Sequence, residues 1–556
     1  MSINHVSIWR GSANKLRQSE VWFEYLCLIG LLLAASSLFL VNLSSLPLLD
    51  SQEATLAGVA KEIYRSTDIT NWIFPTLWNE SYFAQPPLVH NLVAIAYKIL
   101  GVGELATRLP GALLGALSVL LLYQIGREIF VARLPALFSA LVYLTCLPVV
   151  RYSRLATLDG PLLCFELLTI WAVLRSRRDL KWTLVTGIGF SLMSLTKGFF
   201  GIQVLLIALL FLFWDTPRLL SSVYFWTGLC LGAVPSGVWH FAQLLHYRQL
   251  GIERDFFNLL LAQAQQHLVP RELSPDYYLL RHGLQALEYL IPWLMVMFAG
   301  LQLIKHNLHW GWGKLLAVWL GGYLTLNLLL LNPDYWLVLP LYPALALAAG
   351  KQLDRIRNLP SFVVYPRGWI YSFALMSALA ALAGLNWGIY NYIDFYLPFI
   401  CGSLSITFGA TAIVLAQQDK QFITLLFWGL FVSIFLLVAS PHWIWELEDG
   451  KSVKLIAELV QRYTPPQVVI YGSETVARPS LAFYSDRQII PQSIPELQNH
   501  WQQDPLSYFL LDSQTAQELD LPTTAFIQDE PLQSLGWLLA IKDRTSVLAD
   551  LSPSSK

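Results

Sequence analysis

Apolar runs recur along most of this chain, and no other feature constrains its fold as much. They lie near residues 24–45, 106–126, 134–150, 160–174, 182–195, 199–214, 221–245, 284–304, 315–331, 335–350, 369–390, 395–416 and 421–440. Most approach or exceed the roughly eighteen apolar residues that carry a helix through a bilayer. A backbone in hydrocarbon must satisfy its own hydrogen bonds, so each run is predicted to be a helix. The expectation is an α-helical polytopic membrane protein with about thirteen transmembrane helices. Composition agrees: 55% of the 556 residues are hydrophobic and only 13% charged, against roughly a quarter charged in soluble domains. A soluble globular fold is excluded. The net charge of −1 gives no reason to expect nucleic acid. Cys27, Cys146, Cys164, Cys230 and Cys401 all fall in apolar segments without a CxxC pattern. They read as small core residues rather than a disulfide framework or zinc site. The first apolar segment is too long for a removable signal peptide and lacks a small-residue cleavage site.

Basic residues set the orientation. With Arg10, Lys15 and Arg17 in the cytoplasm, nearly every short basic loop falls on the same side, including "RSRRDLK" (175–181). The shorter run Pro87 to Leu100 then reads as interfacial or re-entrant, because a span there would turn "RSRRDLK" outward. The opposite, extracytoplasmic side collects the long loops 46–105 and 246–283 and the short stretches "RYSRLATLDG" (151–160), "TKG" (196–198) and "NPDYW" (332–336). The membrane domain is expected over 1–440. A small extracytoplasmic α/β domain is expected over 450–556, where "QVVIYG", "RQIIP", "YFLLD" and "LGWLLAIKD" alternate with polar helical or loop stretches.

Polar groups at the membrane boundary are functional candidates. Asp50 and Glu53 stand three apart at the start of the first outer loop, on one face if it is helical. Helix capping is an equal reading of both acids. Asp159 lies at the outer mouth of the fourth span beside Arg151 and Arg154, which suit either an ion pair or a phosphate. Lys197 interrupts two apolar spans; its plainer reading is snorkelling to the interface. His246, Arg248, Arg254, His267 and Arg271 lie in the loop 246–283, with no pair at metal-ligand spacing. Such an outer face suits an enzyme with a lipid-phosphate substrate, which needs cations for phosphate and a carboxylate base. A transporter would show a repeated arrangement of broken helices around midplane charges; no repeat is seen, and Glu166 and Glu288 are the main charges within spans.

Several blocks in a fixed order carry a family resemblance. They are "LLDSQEATLAGVAKEI", the segment from "FPTLWNESYFAQPPLVHN" through "GVGELATRLPGALLGAL" to Phe130, "RLATLDGPLL", "SLTKGFFG", "YWLVLPLYPALALAAG" and "RPSLAFYSDR". The chain resembles the C-type integral-membrane glycosyltransferases over most of residues 20–490, specifically the aminoarabinose-transferase and protein O-mannosyltransferase group. The resemblance implies thirteen spans, an outer C-terminal domain and a polyprenyl-phosphate sugar donor. It departs from the family at named places. The family's Asp-Glu pair reads Gln52-Glu53, with Asp50 just upstream, and its metal-binding Glu and phosphate-binding Lys are Ala84 and Gln85. The segment "LLNPDYW" supplies no Lys before Tyr335, and no metal-binding His is matched in the long outer loop.

The resemblance implies a membrane glycosyltransferase of the plasma (inner) membrane acting on an extracytoplasmic lipid, glycan or protein acceptor. Asp50 or Glu53 would be the base, Asp159 would orient, and Tyr82, Gln85, Arg154, Lys197 and Tyr335 would contact substrate. No cofactor or metal is expected. The alternative is a catalytically degenerate relative that binds a lipid-linked sugar or a partner glycosyltransferase.

Overall fold

The computed structural model describes residues 3–50, 52–247, 293–330, 339–360, 364–390, 394–444, 453–466, 468–503, 507–519, 521, 526–527 and 537–542. The chain forms two compact units. The first comprises Met1–Asn42, Phe83–Val89 and Arg108–Trp443, and the second Leu43–Tyr82, His90–Thr107 and Ile444–Lys556.

In chain order, α1 (Ile3–Phe39), α2 (Gln52–Arg65) and α3 (Thr70–Ile73) precede the hairpin β1 (Thr76–Leu77) and β2 (Glu80–Ser81). Next come α4 (Leu88–Leu100), α5 (Glu104–Ile129), α6 (Arg133–Leu144), α7 (Leu147–Arg154), α8 (Asp159–Ser176) and α9 (Trp182–Lys197). They are followed by α10 (Phe199–Asp215), α11 (Pro217–Leu220), α12 (Val223–Tyr247), α13 (Leu294–His306) and α14 (Gly311–Leu330). After these stand α15 (Tyr342–Arg357), α16 (Arg367–Tyr390), α17 (Tyr396–Ala416) and α18 (Phe422–Ala439). The last stretch holds α19 (Val453–Tyr463), β3 (Val469–Gly472), α20 (Pro479–Ser485), β4 (Gln488–Pro491), α21 (Ile494–Gln503), β5 (Tyr508–Asp512), α22 (Ser513–Glu518) and β6 (Trp537–Ile541).

Each predicted span, where described, overlaps a helix, although the first helix ends at Phe39 rather than near residue 45. Among the described residues five helices are long and apolar enough to cross a bilayer: α1 over Val21–Phe39, α5, α16 over Arg367–Ile389, α17 and α18. The run 134–150 was expected to be one helix. It is a broken pair, with α6 and α7 bent by 60°. Pro148 stands in the first turn of α7 and has no N–H to give α6. At the break, the Thr145 hydroxyl donates to the Leu141 carbonyl at 2.7 Å and accepts from the Trp293 indole at 3.0 Å, so the corner is held rather than loose. The run from Pro87 becomes the thirteen-residue α4, roughly 20 Å long and short of a 30 Å hydrocarbon core.

Small residues set how closely the bundle packs. α9 lies on both α8 and α12. Gly228 and Gly232, four apart on α12, face Thr183, Leu184 and Gly187 of α9 so closely that a Cβ would meet backbone or the Thr183 side chain. In lipid, where burial alone does not drive helices together, such approaches supply the contact area.

In the second unit the strand order is β4-β3-β5-β6; β3 runs parallel to β4 and β5, and β6 antiparallel to β5. The four short apolar runs of the C-terminal sequence contain these four strands. One sheet face buries Ile470, Leu510 and Leu539 with Ile456 and Val460 of α19 and Leu481 of α20. The other buries Phe509, Leu511 and Ala540 with Leu497 of α21 and Ala516 of α22. Covering both faces is what a mostly parallel sheet requires.

Candidate functional site

In the first unit, α7 ends at Arg154 and a short link leads to Asp159, the first residue of α8. Three glycines hold this corner. Gly111 of α5 lies close to the Ser153 and Leu155 carbonyls, Gly115 against the Ser153 side chain, and Gly160 against the Ser153 backbone. The "LPGALLGAL" block thus makes a flat bed on α5 for the turn that presents Asp159. The Asp159 carboxylate is buried and pairs with Lys197 at 3.0 Å. Lys197 is in the last turn of α9 and keeps 20% of its side chain exposed. Its ammonium also lies 5.2 Å from the Phe200 ring centre.

Arg154 is fully buried. It donates to the carbonyl oxygens of Leu38, at 2.6 Å, and Val438, at 3.4 Å, and lies 4.4 Å from the centre of the Trp443 ring. Among the described residues no carboxylate pairs with it. Arg108 of α5, equally buried, stands 5.1 Å from the same indole. Two guanidinium groups on one aromatic ring form a cationic, water-poor cluster of the kind cation–π attraction stabilises. Sequence reading missed Arg108 and Trp443. An Arg inside the apolar run 106–126 was the available signal.

The second unit holds Asp50 and Glu53. Asp50 accepts from the Ser480 backbone N–H at 3.2 Å and from the Ser480 hydroxyl, and the Arg478 guanidinium approaches it at 3.9 Å. Ser480 lies in the first turn of α20, so Asp50 caps that helix from a remote part of the chain. Glu53 is buried in the first turn of α2 and accepts from the Leu49 N–H at 2.9 Å. At the far end of α2, Lys61 bonds the Phe483 carbonyl and pairs with Asp486 at 3.0 Å. Arg65 meets both Asp486 oxygens at 2.8 Å. Burial alone would raise the Asp486 carboxyl; the hydrogen bonds from Arg65 and Lys61 override it and hold it at about 2. The block "RPSLAFYSDR" is therefore the partner of α2, with an acid at the positive end of α20 and cations at its negative end. Leu48, Ala54, Ala57 and Phe483 fill the space between.

The segment "SYFAQPPLVHN" carries its aromatic frame into defined contacts. The Tyr82 ring meets His90 edge-on at 5.6 Å, and Phe83 meets Tyr247 at 4.5 Å. Pro86 and Pro87 are buried, Ala84 is exposed and Gln85 half-buried. Tyr335 and the loop from residue 248 to 283 lie outside the described residues. A metal does not fit the residues at hand. Ala84 offers no donor, Gln85 offers a weakly ligating amide, and among the described residues no three His, Cys, Asp or Glu side chains stand together.

Comparison with known proteins bears on this geometry. Residues 84–239 match the family model of dolichyl-phosphate-mannose-protein mannosyltransferases. An uncharacterised protein of Aquifex aeolicus is 25% identical over 320 residues, 55% of this chain and 61% of that protein. The undecaprenyl phosphate-alpha-4-amino-4-deoxy-L-arabinose arabinosyl transferase of Pseudomonas paraeruginosa is 28% identical over 375 residues, 64% of this chain and 65% of that protein. The chain thus spans under two-thirds of the length of these curated relatives. The crystal structure of ArnT from Cupriavidus metallidurans bound to undecaprenyl phosphate superposes with a TM-score of 0.72 at 17% identity, covering 93% of this chain and 98% of that one.

The helical bundle with its small sheet-bearing domain is that of a polytopic membrane protein of the C-type glycosyltransferase fold. Within that fold the chain is similar to the aminoarabinose-transferase and protein O-mannosyltransferase group over the segments matched above.

Proposed function

We propose that this protein is a membrane glycosyltransferase that moves a sugar from a polyprenyl-phosphate carrier to a lipid, glycan or protein acceptor on the extracytoplasmic side of the plasma membrane. The observation that carries the reading is the ion pair between buried Asp159 and partly exposed Lys197, which joins two of the blocks that carry the family resemblance. In the reaction the acceptor oxygen bonds to the anomeric carbon. The bond from that carbon to the phosphate oxygen breaks, and the polyprenyl phosphate leaves with the electron pair. A carboxylate takes the acceptor proton. Asp50 or Glu53 is assigned as base and Asp159 as the orienting acid. Lys197, partly exposed, is assigned to phosphate. Arg154, whose terminal nitrogens already serve carbonyls, suits positioning of the phosphate site through Trp443. Tyr82, Gln85 and Tyr335 are assigned to substrate contact. No step runs through a metal.

The same reading gives residues 1–440, with outer loops 46–105 and 246–283, to the transferase, and 450–556 to an extracytoplasmic α/β domain. The N-terminus is cytoplasmic.

One observation favours a second reading, a relative that has kept the fold and binds a lipid-linked sugar or a partner glycosyltransferase without turning it over. Asp50 and Glu53 both carry structural hydrogen bonds, to Ser480 and Leu49. An assay of purified protein with undecaprenyl-phosphate-linked sugars, with and without divalent metal, separates the two. Sugar released to an acceptor supports the transferase. Saturable donor binding without release supports the second reading.

A further inference from the structure

The second unit carries a polar cleft that the proposed transfer does not use. Its volume is about 660 Å³, within the rough 300–1,000 Å³ range of small-molecule sites. Its lining includes Asn71, Trp78, Asn79 and Gln488 together with Glu62, Arg65, Asp486 and Arg487. From Glu53 to Arg65, α2 runs roughly 18 Å, which separates the cleft from the acids at the start of that helix.

The charged lining groups are already engaged. Glu62 accepts from the Thr76 hydroxyl at 2.7 Å and from the Trp78 N–H. Arg65 is bidentate on Asp486. Arg487 donates to the carbonyls of Thr464, Ser485 and Asp486. The side chains of Asn71, Asn79 and Gln488 and the Trp78 indole N–H, in contrast, have no hydrogen-bond partner among the described residues. Three amides offering donors and acceptors together, beside one indole, remain to meet a ligand.

The backbone adds an independent observation. Trp78 and Asn79 both sit in the left-handed region, at φ 55° and 61°. Asn suits the two-residue hairpin turn they form, but a bulky aromatic residue there is a conformational outlier. The Glu62 carboxylate holds it in place through its backbone N–H. Strain of this kind collects at ligand clamps.

We infer that this cleft is a binding site for a neutral carbohydrate of the hexose class. Side-chain amides pair with vicinal hydroxyls, and the Trp78 ring offers an apolar face for the C–H side of a pyranose. An anion is disfavoured because the cations here are committed to Asp486 and to backbone carbonyls. The site is independent of the transfer chemistry proposed above.

The test uses the full-length protein in lipid nanodiscs and saturation-transfer NMR with titration calorimetry. The probes are glucose, galactose, mannose and N-acetylglucosamine, with glucose 1-phosphate and inorganic phosphate as the anionic arm. At least one neutral sugar is expected to bind. Asn71→Ala and Gln488→Ala are each expected to weaken it about tenfold, and Trp78→Phe to remove part of the saturation transfer. Asp159→Asn is expected to leave it unchanged. Should Trp78→Phe fail to fold, the two amide variants decide. The proposal is overturned if no neutral sugar binds, if both amide variants bind as the parent does, or if the phosphates bind in preference to the neutral sugars.

Discussion

Asp50 caps a helix whose first turn contains Ser480, 430 positions further along the chain. An acid that sequence offers as a candidate base therefore also anchors the sheet-bearing part of its unit. Two substitutions separate these roles. Asp50→Asn keeps an acceptor oxygen for Ser480 but no basic carboxylate, so it should lower transfer at least about a hundredfold with the melting temperature nearly unchanged. Asp50→Ala also removes the cap and should cost about 1 kcal/mol of stability. Equal activity of Asp50→Asn and an active parent would move the base to Glu53.

The Asp159–Lys197 pair sets a second expectation. Removing one partner strands the other charge in a mostly buried place, so Asp159→Asn and Lys197→Met should each destabilise the first unit and lower transfer by about a hundredfold or more. The double variant should recover most of the stability but none of the transfer. Recovery of both in a double-mutant cycle would show the pair to be structural only.

Stability of the second unit should fall in acid. The Asp486 carboxyl is held at about 2 by Arg65 and Lys61, against burial, which would raise it. Its folded pKa lies below the unfolded value near 3.9. The contribution is thus complete above about pH 4 and lost as pH falls through about 2. Asp486→Asn should flatten this part of the profile. Asn tolerates the left-handed backbone at φ 56°, so the variant tests charge rather than strain. Thermal melts followed by tryptophan fluorescence between pH 2 and 5 give the readout, and a parent profile as flat as the variant's would refute the linkage.

Topology is open to cysteine labelling. In a background without the native cysteines, single cysteines at Asn71 and Ser485 should react from the extracytoplasmic side, in the case of the buried Ser485 after mild unfolding, and Arg177 from the cytoplasm. Labelling of positions 71 and 177 from one side would break the orientation.

Metal content gives the last test. With Ala84 in place of a carboxylate, purified protein should hold no stoichiometric divalent ion, and any transfer should survive chelation. One tightly bound zinc or manganese per chain, found by elemental analysis, would require ligands beyond the described residues.

What the sequence made legible was periodic or compositional. Apolar length located the helices, and short apolar runs located β3, β4, β5 and β6. The break between α6 and α7 escaped because apolar content continues across it; only Pro148 marks it. Asp159 and Lys197 were legible as candidates where the family-like blocks supplied them. Their pairing at 3.0 Å was not, since it joins residues from two helices. The capping role of Asp50 was legible as a type of role, but its target was not. Local pattern points to α2, whereas the helix actually capped begins far downstream.

The clasp between α2 and α20 also has a timetable. α2 leaves the ribosome well before Ser480 and Asp486, which satisfy its two ends and are made about 400 residues later. At roughly 5–20 residues per second the interval is on the order of 20–90 s. Throughout it Asp50, Lys61 and Arg65 wait without their partners, beside an uncovered apolar face at Ala54 and Ala57. A chain that stops short of α20 never closes that face. Truncated products should therefore be marked for degradation by the uncovered segment around α2, however well their membrane helices have inserted.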